Sequence, residues 1–169
     1  MEYILGQILS IIAMVIMVIS FQMKSNKLLF ILQIISCIGF ATSYLLLGFI
    51  DACFLNILAL LRCVLFLIKR LKGNVIVLIL LELSFIVCTI FTYQSVFSIV
   101  ILIAQMVGTF SMWTGNGKII RYLNLFITSP GWLINNIYAF SIGGIICESF
   151  NIISILVALF RYRKTGCVD

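Results

Sequence analysis

The chain contains no histidine and a single proline, and only 9% of its residues are charged. Without histidine, the side chain that most often serves as general base or metal ligand is missing. The acidic residues, Glu2, Asp51, Glu82, Glu148 and Asp169, form no close pair in sequence, and there is no Ser/His or Cys/His constellation. Nothing therefore supports catalysis, and the chain is read as a non-enzyme without a cofactor. The cysteines, Cys37, Cys53, Cys63, Cys88, Cys147 and Cys167, include no CxxC pair. Most lie in apolar runs, where cysteine behaves as a small hydrophobe, so no metal site is expected. Cys53 and Cys147 fall at similar outer positions in two different runs, where a bridge is the alternative to the expected free thiols. The segment Gly115-Asn-Gly-Lys118 lacks the full glycine spacing and the following Ser or Thr of a phosphate loop, and reads as a polar turn.

Apolar side chains fill the gap: 64% of the 169 residues are hydrophobic, where a soluble domain has about half. A water-soluble fold of this length could not hide them, whereas a lipid bilayer removes the need. Glu2 stands where the basic region of a signal peptide should be, and no small-residue cleavage site closes the first run near 20–23. That run is expected to persist as a helix. The net charge of +6 comes from short basic clusters between apolar runs, the footprint of membrane topology and not of a nucleic-acid surface.

The apolar runs predict transmembrane helices near 3–22, 28–50, 52–68, 75–92, 96–113, 120–140 and 145–160. The basic residues alternate with them. Lys24 and Lys27 follow the first, Lys69, Arg70 and Lys72 the third, Lys118 and Arg121 the fifth, and Arg161, Arg163 and Lys164 the seventh. The intervening connections and the N-terminus carry none. The positive-inside rule then predicts an all-α membrane protein of seven helices, N-terminus outside and C-terminus cytoplasmic.

The same pattern repeats across the middle of the chain. Gln7 and Met14 match Gln105 and Met112; Lys27 and Gln33 match Lys118 and Asn124; Gly39–Phe40 resembles Gly131–Trp132; Gly48 and Asn56 match Gly143 and Asn151. The expected organisation is 3+1+3: a three-helix repeat over 1–73, a linker helix over 74–95, a second repeat over 96–165 and a tail over 166–169. Directly fused three-helix units would be inverted, and one added helix makes them parallel about an axis along the membrane normal.

Polar side chains inside hydrocarbon are costly and usually face the bundle interior or a wet cavity. In the sixth segment Thr128, Ser129, Trp132, Asn135, Asn136 and Ala139 share one helical face. Gln33, Ser36, Cys37, Phe40 and Ser43 form a weaker stripe in the second. Pro130 should kink or loosen its helix, and with Gly131 and Gly39 it is a hinge candidate. A pseudo-twofold axis would set Asn56 and Asn151 at one depth, facing each other across a cavity that Trp132 also lines. Such a site suits a small neutral polar solute. Glu148 reads either as a proton-linked group or as an anchor for the Ser141–Gly144 turn. Arg62 lies roughly 120° around its helix from Asn56, away from that cavity. Antiparallel third and fourth helices would bring it level with Glu82, so a structural ion pair is expected, with snorkelling of Arg62 to the cytoplasmic face as the alternative.

The stretch Trp132-x-x-x-Asn136-x-x-x-x-Ser141-Ile142-Gly143-Gly144-x-x-x-Glu148, with Leu46-Leu47-Gly48, Leu55-Asn56 and Arg62, resembles the YgjV-type family of bacterial inner-membrane proteins over nearly the whole chain. The resemblance implies a multi-pass protein of the cytoplasmic membrane. More distantly, the 3+1+3 plan is similar to the SWEET sugar facilitators, their half-size SemiSWEET relatives and PnuC-type vitamin transporters. That likeness implies a substrate site lined by the third-helix Asn56 and Asn151 and by Trp132, with Phe40 at the other tryptophan position. The Pro-Gln motif and most hinge prolines of the facilitators are absent here. The expected function is a permease for a small neutral polar metabolite, with the bilayer as its only other partner and no sign of an oligomer or an energy source. The rival expectation is a membrane scaffold or sensor whose polar stripe is packing glue.

Overall fold

A computed structural model describes residues 2–21, 26–68, 71 and 73–165. Lys24, Lys69, Arg70, Lys72 and Cys167, on which parts of the sequence reading rest, lie outside them. The described residues are helical almost throughout, with no strand among them. We label the helices α1 (Glu2–Phe21), α2 (Asn26–Leu47), α3 (Ile50–Leu67), α4 (Val75–Thr92), α5 (Val96–Thr114), α6 (117–138) and α7 (Ile142–Thr165). By length and composition α1, α3, α4 and α5 can each cross a bilayer, and 31–47 of α2 and 142–157 of α7 are shorter apolar helices.

The helix ends have local causes. Asn74 accepts a hydrogen bond from the Ile76 amide (2.9 Å) and Asn116 one from the Lys118 amide (3.0 Å), satisfying first-turn donors of α4 and α6. Gly48 ends α2 in the left-handed conformation, at φ 85°. The α2–α3 turn is therefore Gly48–Phe49, earlier than the break expected from hydropathy, and Asp51 belongs to the first turn of α3. There its Oδ1 accepts from the Ala52 amide at 2.7 Å, and a negative charge is favoured at a helix N-terminus.

Helix α6 carries the expected irregularity. It runs as an α-helix over Gly117–Leu123, widens to a π turn over Asn124–Thr128, and resumes over Ser129–Tyr138. The Ser129 amide reaches back to the Asn124 carbonyl. Pro130 has no amide hydrogen to continue the ladder just beyond, so the wide turn sits where the helix is already loosened.

In the bundle, α1 packs along α2, and α2 on α3. Likewise α5 packs on α6, and α6 on α7. Helix α4 leans on α3 and α5, while α1 meets α7 and α3 meets α5. Small residues let the backbones approach. Ser36 and Ser43 of α2 donate to the Ala13 and Gly6 carbonyls of α1, each at 2.8 Å. A Cβ on Gly39 would stand 2.9 Å from the Ala13 Cβ, and one on Gly131 would stand 2.7 Å from the Ala104 Cβ. Both hinge-candidate glycines are thus close-packing positions.

The distribution of polarity is inverted relative to a soluble protein. The outer surface is Ile, Leu, Val and Phe, with Phe91 85% exposed, whereas Gln7, Ser10, Asp51, Gln105, Thr109, Asn135 and Asn136 are buried. Such an exterior is stable only against lipid.

Candidate functional site

Between the helices lies a cavity of about 510 Å³. One face of α2, carrying Gln33, Cys37, Phe40 and Tyr44 at three- and four-residue steps, forms part of its wall. Helix α3 adds Asn56, Ala59 and Cys63, α6 adds Thr128, Trp132 and Asn136, and α7 adds Cys147, Glu148 and Asn151. Gln105 and Gly108 of α5 complete it. The lining stops at Tyr44, Asn136 and Gly144 toward the α2–α3 and α6–α7 turns. In the other direction it extends to Gly115 and Arg121 at the α5–α6 connection.

Of the residues singled out in the sequence, Gln33, Phe40, Asn56, Trp132, Asn136, Glu148 and Asn151 all line this one space. Asn135 does not: it is fully buried outside the cavity, and neither amide atom has a hydrogen-bond partner. Its side chain projects one helical step from Asn136, enough to turn it away. Asn56 is 8% exposed and its Nδ2 donates to the Ala52 carbonyl at 2.9 Å, which leaves its Oδ1 for a solute. Phe40, Tyr44 and Trp132 form a run of rings, with centroids 6.3 Å apart at each step.

Two pairings differ from expectation. The α2–α3 and α6–α7 turns are built alike, bond for bond. Gly48 donates to Leu45 (3.2 Å) and Phe49 to Tyr44 (2.9 Å); Phe140 donates to Ile137 (3.2 Å) and Ser141 to Asn136 (2.9 Å). Phe140, at φ 49°, takes the left-handed position held by Gly48. Counted from these turns, Asn56 is level with Glu148, and Asn151 lies one turn further along α7. Asn151 accordingly does not face Asn56; its Nδ2 donates to Glu148 Oε2 at 3.3 Å. The Glu148 carboxylate is thereby tied to Asn151 in the cavity wall and not to the Ser141–Gly144 turn.

Arg62 is the second correction. It lines the cavity and its Nη1 donates to Thr109 Oγ1 at 3.0 Å, while both Glu82 oxygens are enclosed without a hydrogen-bond partner. The expected contact with Glu82 is not formed. A helical-wheel angle places the Cα, but the long arginine side chain swings past it.

The residues that close the Tyr44 end escaped the sequence reading. The Tyr44 hydroxyl donates to Asn136 Oδ1, joining α2 to α6. Above it Tyr138 stacks on Phe97 at 4.2 Å and meets Phe49 edge-on at 5.4 Å. Gln7 of α1 brackets the α6–α7 turn: its Nε2 donates to Phe140 O (2.5 Å) and its Oε1 accepts from the Ile142 amide (3.0 Å). Gln94, just before α5, brackets the α2–α3 turn in the same way, donating to Gly48 O (3.1 Å) and accepting from the Ile50 amide (2.9 Å). Ser98 adds a bond to Asp51 Oδ2. Tyr44 sits one turn after Phe40 on the same stripe, a spacing that could have flagged it; the glutamines carried no local signal.

Cys37, Cys53, Cys63, Cys88 and Cys147 are free thiols. Among the described residues no group of three His, Cys, Asp or Glu side chains could hold a metal.

A lipid-facing exterior around a cavity that amide and charged side chains enter defines a multi-pass α-helical membrane protein. The chain belongs to the Imp-YgjV family of bacterial inner membrane proteins, whose family model matches residues 4–166. Its location is therefore the bacterial inner membrane. No curated protein and no solved structure matches the chain.

Proposed function

We propose that the chain is a permease that moves a small neutral polar metabolite by alternating access around this cavity. The observation that carries the reading is that Asn56, Asn151 and Trp132 line one space that is bonded shut at one end and reaches the helix connection at the other. Amides supply hydrogen bonds to such a solute and the indole a flat apolar surface.

The mechanism uses two parallel three-helix repeats, 1–73 and 96–165, with α4 as the linker. Three observations support it. The α1–α7 and α3–α5 contacts exchange when the halves are exchanged. The two turns share one hydrogen-bond pattern. Each turn is held by a glutamine, the α6–α7 turn by Gln7 of the first half and the α2–α3 turn by Gln94 at the end of the linker. The plan is similar to that of the SWEET facilitators. With the basic connections inside, the N-terminus is outside and the C-terminus cytoplasmic. The Tyr44–Asn136 end then faces out and the Arg121 end faces the cytoplasm, an inward-facing shape. Opening the other way requires the Tyr44–Asn136 bond and the glutamine clamps to part.

In proteoliposomes, a saturable uptake or thermal-shift response to one class of small polar metabolite, among sugars, nucleosides, vitamins and amino acids, should appear. Asn56→Ala and Trp132→Ala should each weaken it about tenfold, a loss near 1.4 kcal/mol. A protein that binds none of these solutes, with unchanged stability in both variants, contradicts the reading. Topology has its own check. In a variant retaining only Cys63, an impermeant maleimide should react in inside-out vesicles and fail in right-side-out ones. The reverse pattern would overturn the orientation.

A further inference from the structure

The wall of the cavity against α5 has a chemistry that its amides and aromatic rings do not explain. Arg62 crosses from α3 to this wall, where it donates to Thr109. A Cβ on Gly108 would lie 3.4 Å from Thr128 Oγ1 and 3.9 Å from Arg62 Nη1, so the guanidinium and that hydroxyl flank the same bare turn of α5. Three buried atoms on these residues have no hydrogen-bond partner: Arg62 Nε, Gln105 Nε2 and Thr128 Oγ1. The first two can only donate and the third can donate. Gln105, one turn before Gly108, is 2% exposed. All three residues line the cavity.

Unsatisfied donors around a cation inside a membrane protein are expensive, and native structures normally pair them. Glu82 of α4 is within electrostatic reach of Arg62 but accepts no hydrogen bond from it. Among the described residues the one acid that lines the cavity, Glu148, accepts from Asn151 and makes no bond to Arg62. The space thus holds a cation with spare donors on its α5 side and a carboxylate on α7, with no bond between them, while the second guanidinium of the lining, Arg121, lies apart at the α5–α6 connection.

The geometry points to a zwitterionic solute of the amino-acid class, its carboxylate accepting from Arg62, Gln105 and Thr128 and its ammonium directed to Glu148. This rests on the permease reading and narrows its neutral polar metabolite to one whose two charges cancel. One guanidinium matches a monoanionic carboxylate, and the planar fork of arginine fits it bidentately.

The test is a thermal-shift titration of the full chain in detergent with grouped pools of the standard amino acids, a sugar pool, a nucleoside pool and a vitamin pool. An amino-acid pool should stabilise it saturably and the others should not. The responding amino acid should bind at least tenfold more tightly than its decarboxylated amine. Arg62→Lys and Gln105→Leu should each remove most of that preference for the carboxylate. A purely structural Arg62 would lower the melting temperature of the empty protein and leave the preference intact, which overturns the inference. If sugars, nucleosides or vitamins bind instead, with affinity unaltered in both variants, the anion subsite is wrong while the permease reading survives. If no pool binds, both fail.

Discussion

Gly143→Ala should disrupt the protein more than any other single methyl group added to its turns. A Cβ at Gly143 would stand 2.3 Å from the carbonyl carbon and oxygen of Ser10 and 2.6 Å from the Ile11 amide nitrogen. These are backbone atoms, which no rotamer change can move. The neighbouring bonds depend on the same approach: the Gly143 amide donates to Ser10 Oγ at 3.2 Å, and the Ile142 amide to Gln7. Separating α1 from α7 should cost about 3 kcal/mol, the upper end of the overpacking range. The check is the melting temperature and the yield of monodisperse protein. Gly48→Ala is the internal comparison, since its Cβ meets nothing within 4 Å and only its φ of 85° is strained; about 1 kcal/mol is expected there. Equal melting temperatures for the Gly143 variant and the parent would contradict the close α1–α7 contact. The Ser-Ile-Gly-Gly segment thereby acquires a physical reason: Gly143 admits α1, and Gly144 admits the Asn136 side chain, whose Oδ1 would lie 2.1 Å from an added Cβ.

Tyr44→Phe should release the closed end of the cavity. The substitution keeps the ring that packs between Phe40 and Trp132 and removes only the hydroxyl that donates to Asn136 Oδ1. Asn136 is 2% exposed, so its oxygen loses a partner where water does not replace it. The cost to the closed form is about 1–3 kcal/mol, which shifts the open fraction by roughly fivefold to a hundredfold. Cys147 lies just beneath this bond, buried and lining the cavity. In a variant retaining only Cys147, labelling from the Tyr44 end should accelerate by that factor when Tyr44→Phe is added. Asn136→Ala should have a similar effect, and the double variant should gain little more, because the two changes break one bond. Unchanged labelling in all three would remove the bond from any gating role.

The helices, the apolar exterior and the loosened stretch before Pro130 were legible in the sequence, because hydropathy, helical period and a missing amide hydrogen act within a few residues. Part of the cavity lining was legible for the same reason. Gln33, Phe40, Trp132 and Asn136 sit on stripes whose spacing shows a shared face, and a polar stripe between apolar ones has nowhere favourable to point except inward. The likeness of the α2–α3 and α6–α7 turns was visible in outline. Its register was not, since glycine matching paired Gly48 with Gly143 where the turns pair Gly48 with Phe140. A non-glycine residue at φ 49° cannot be read from its identity.

The lipid-facing seven-segment plan was determined by the sequence alone, since burial in a bilayer is a property of each helix taken singly. Only the tertiary structure decided which groups meet. Gln7 finds its partner 133 residues away, at Phe140, and Gln94 finds its partner 46 residues back, at Gly48. Arg62 turns from Glu82 to Thr109 because a long side chain chooses among neighbours that only packing brings near. Hydrogen bonds between distant helices depend on rotation and depth together, and a one-dimensional pattern carries the rotation without the depth.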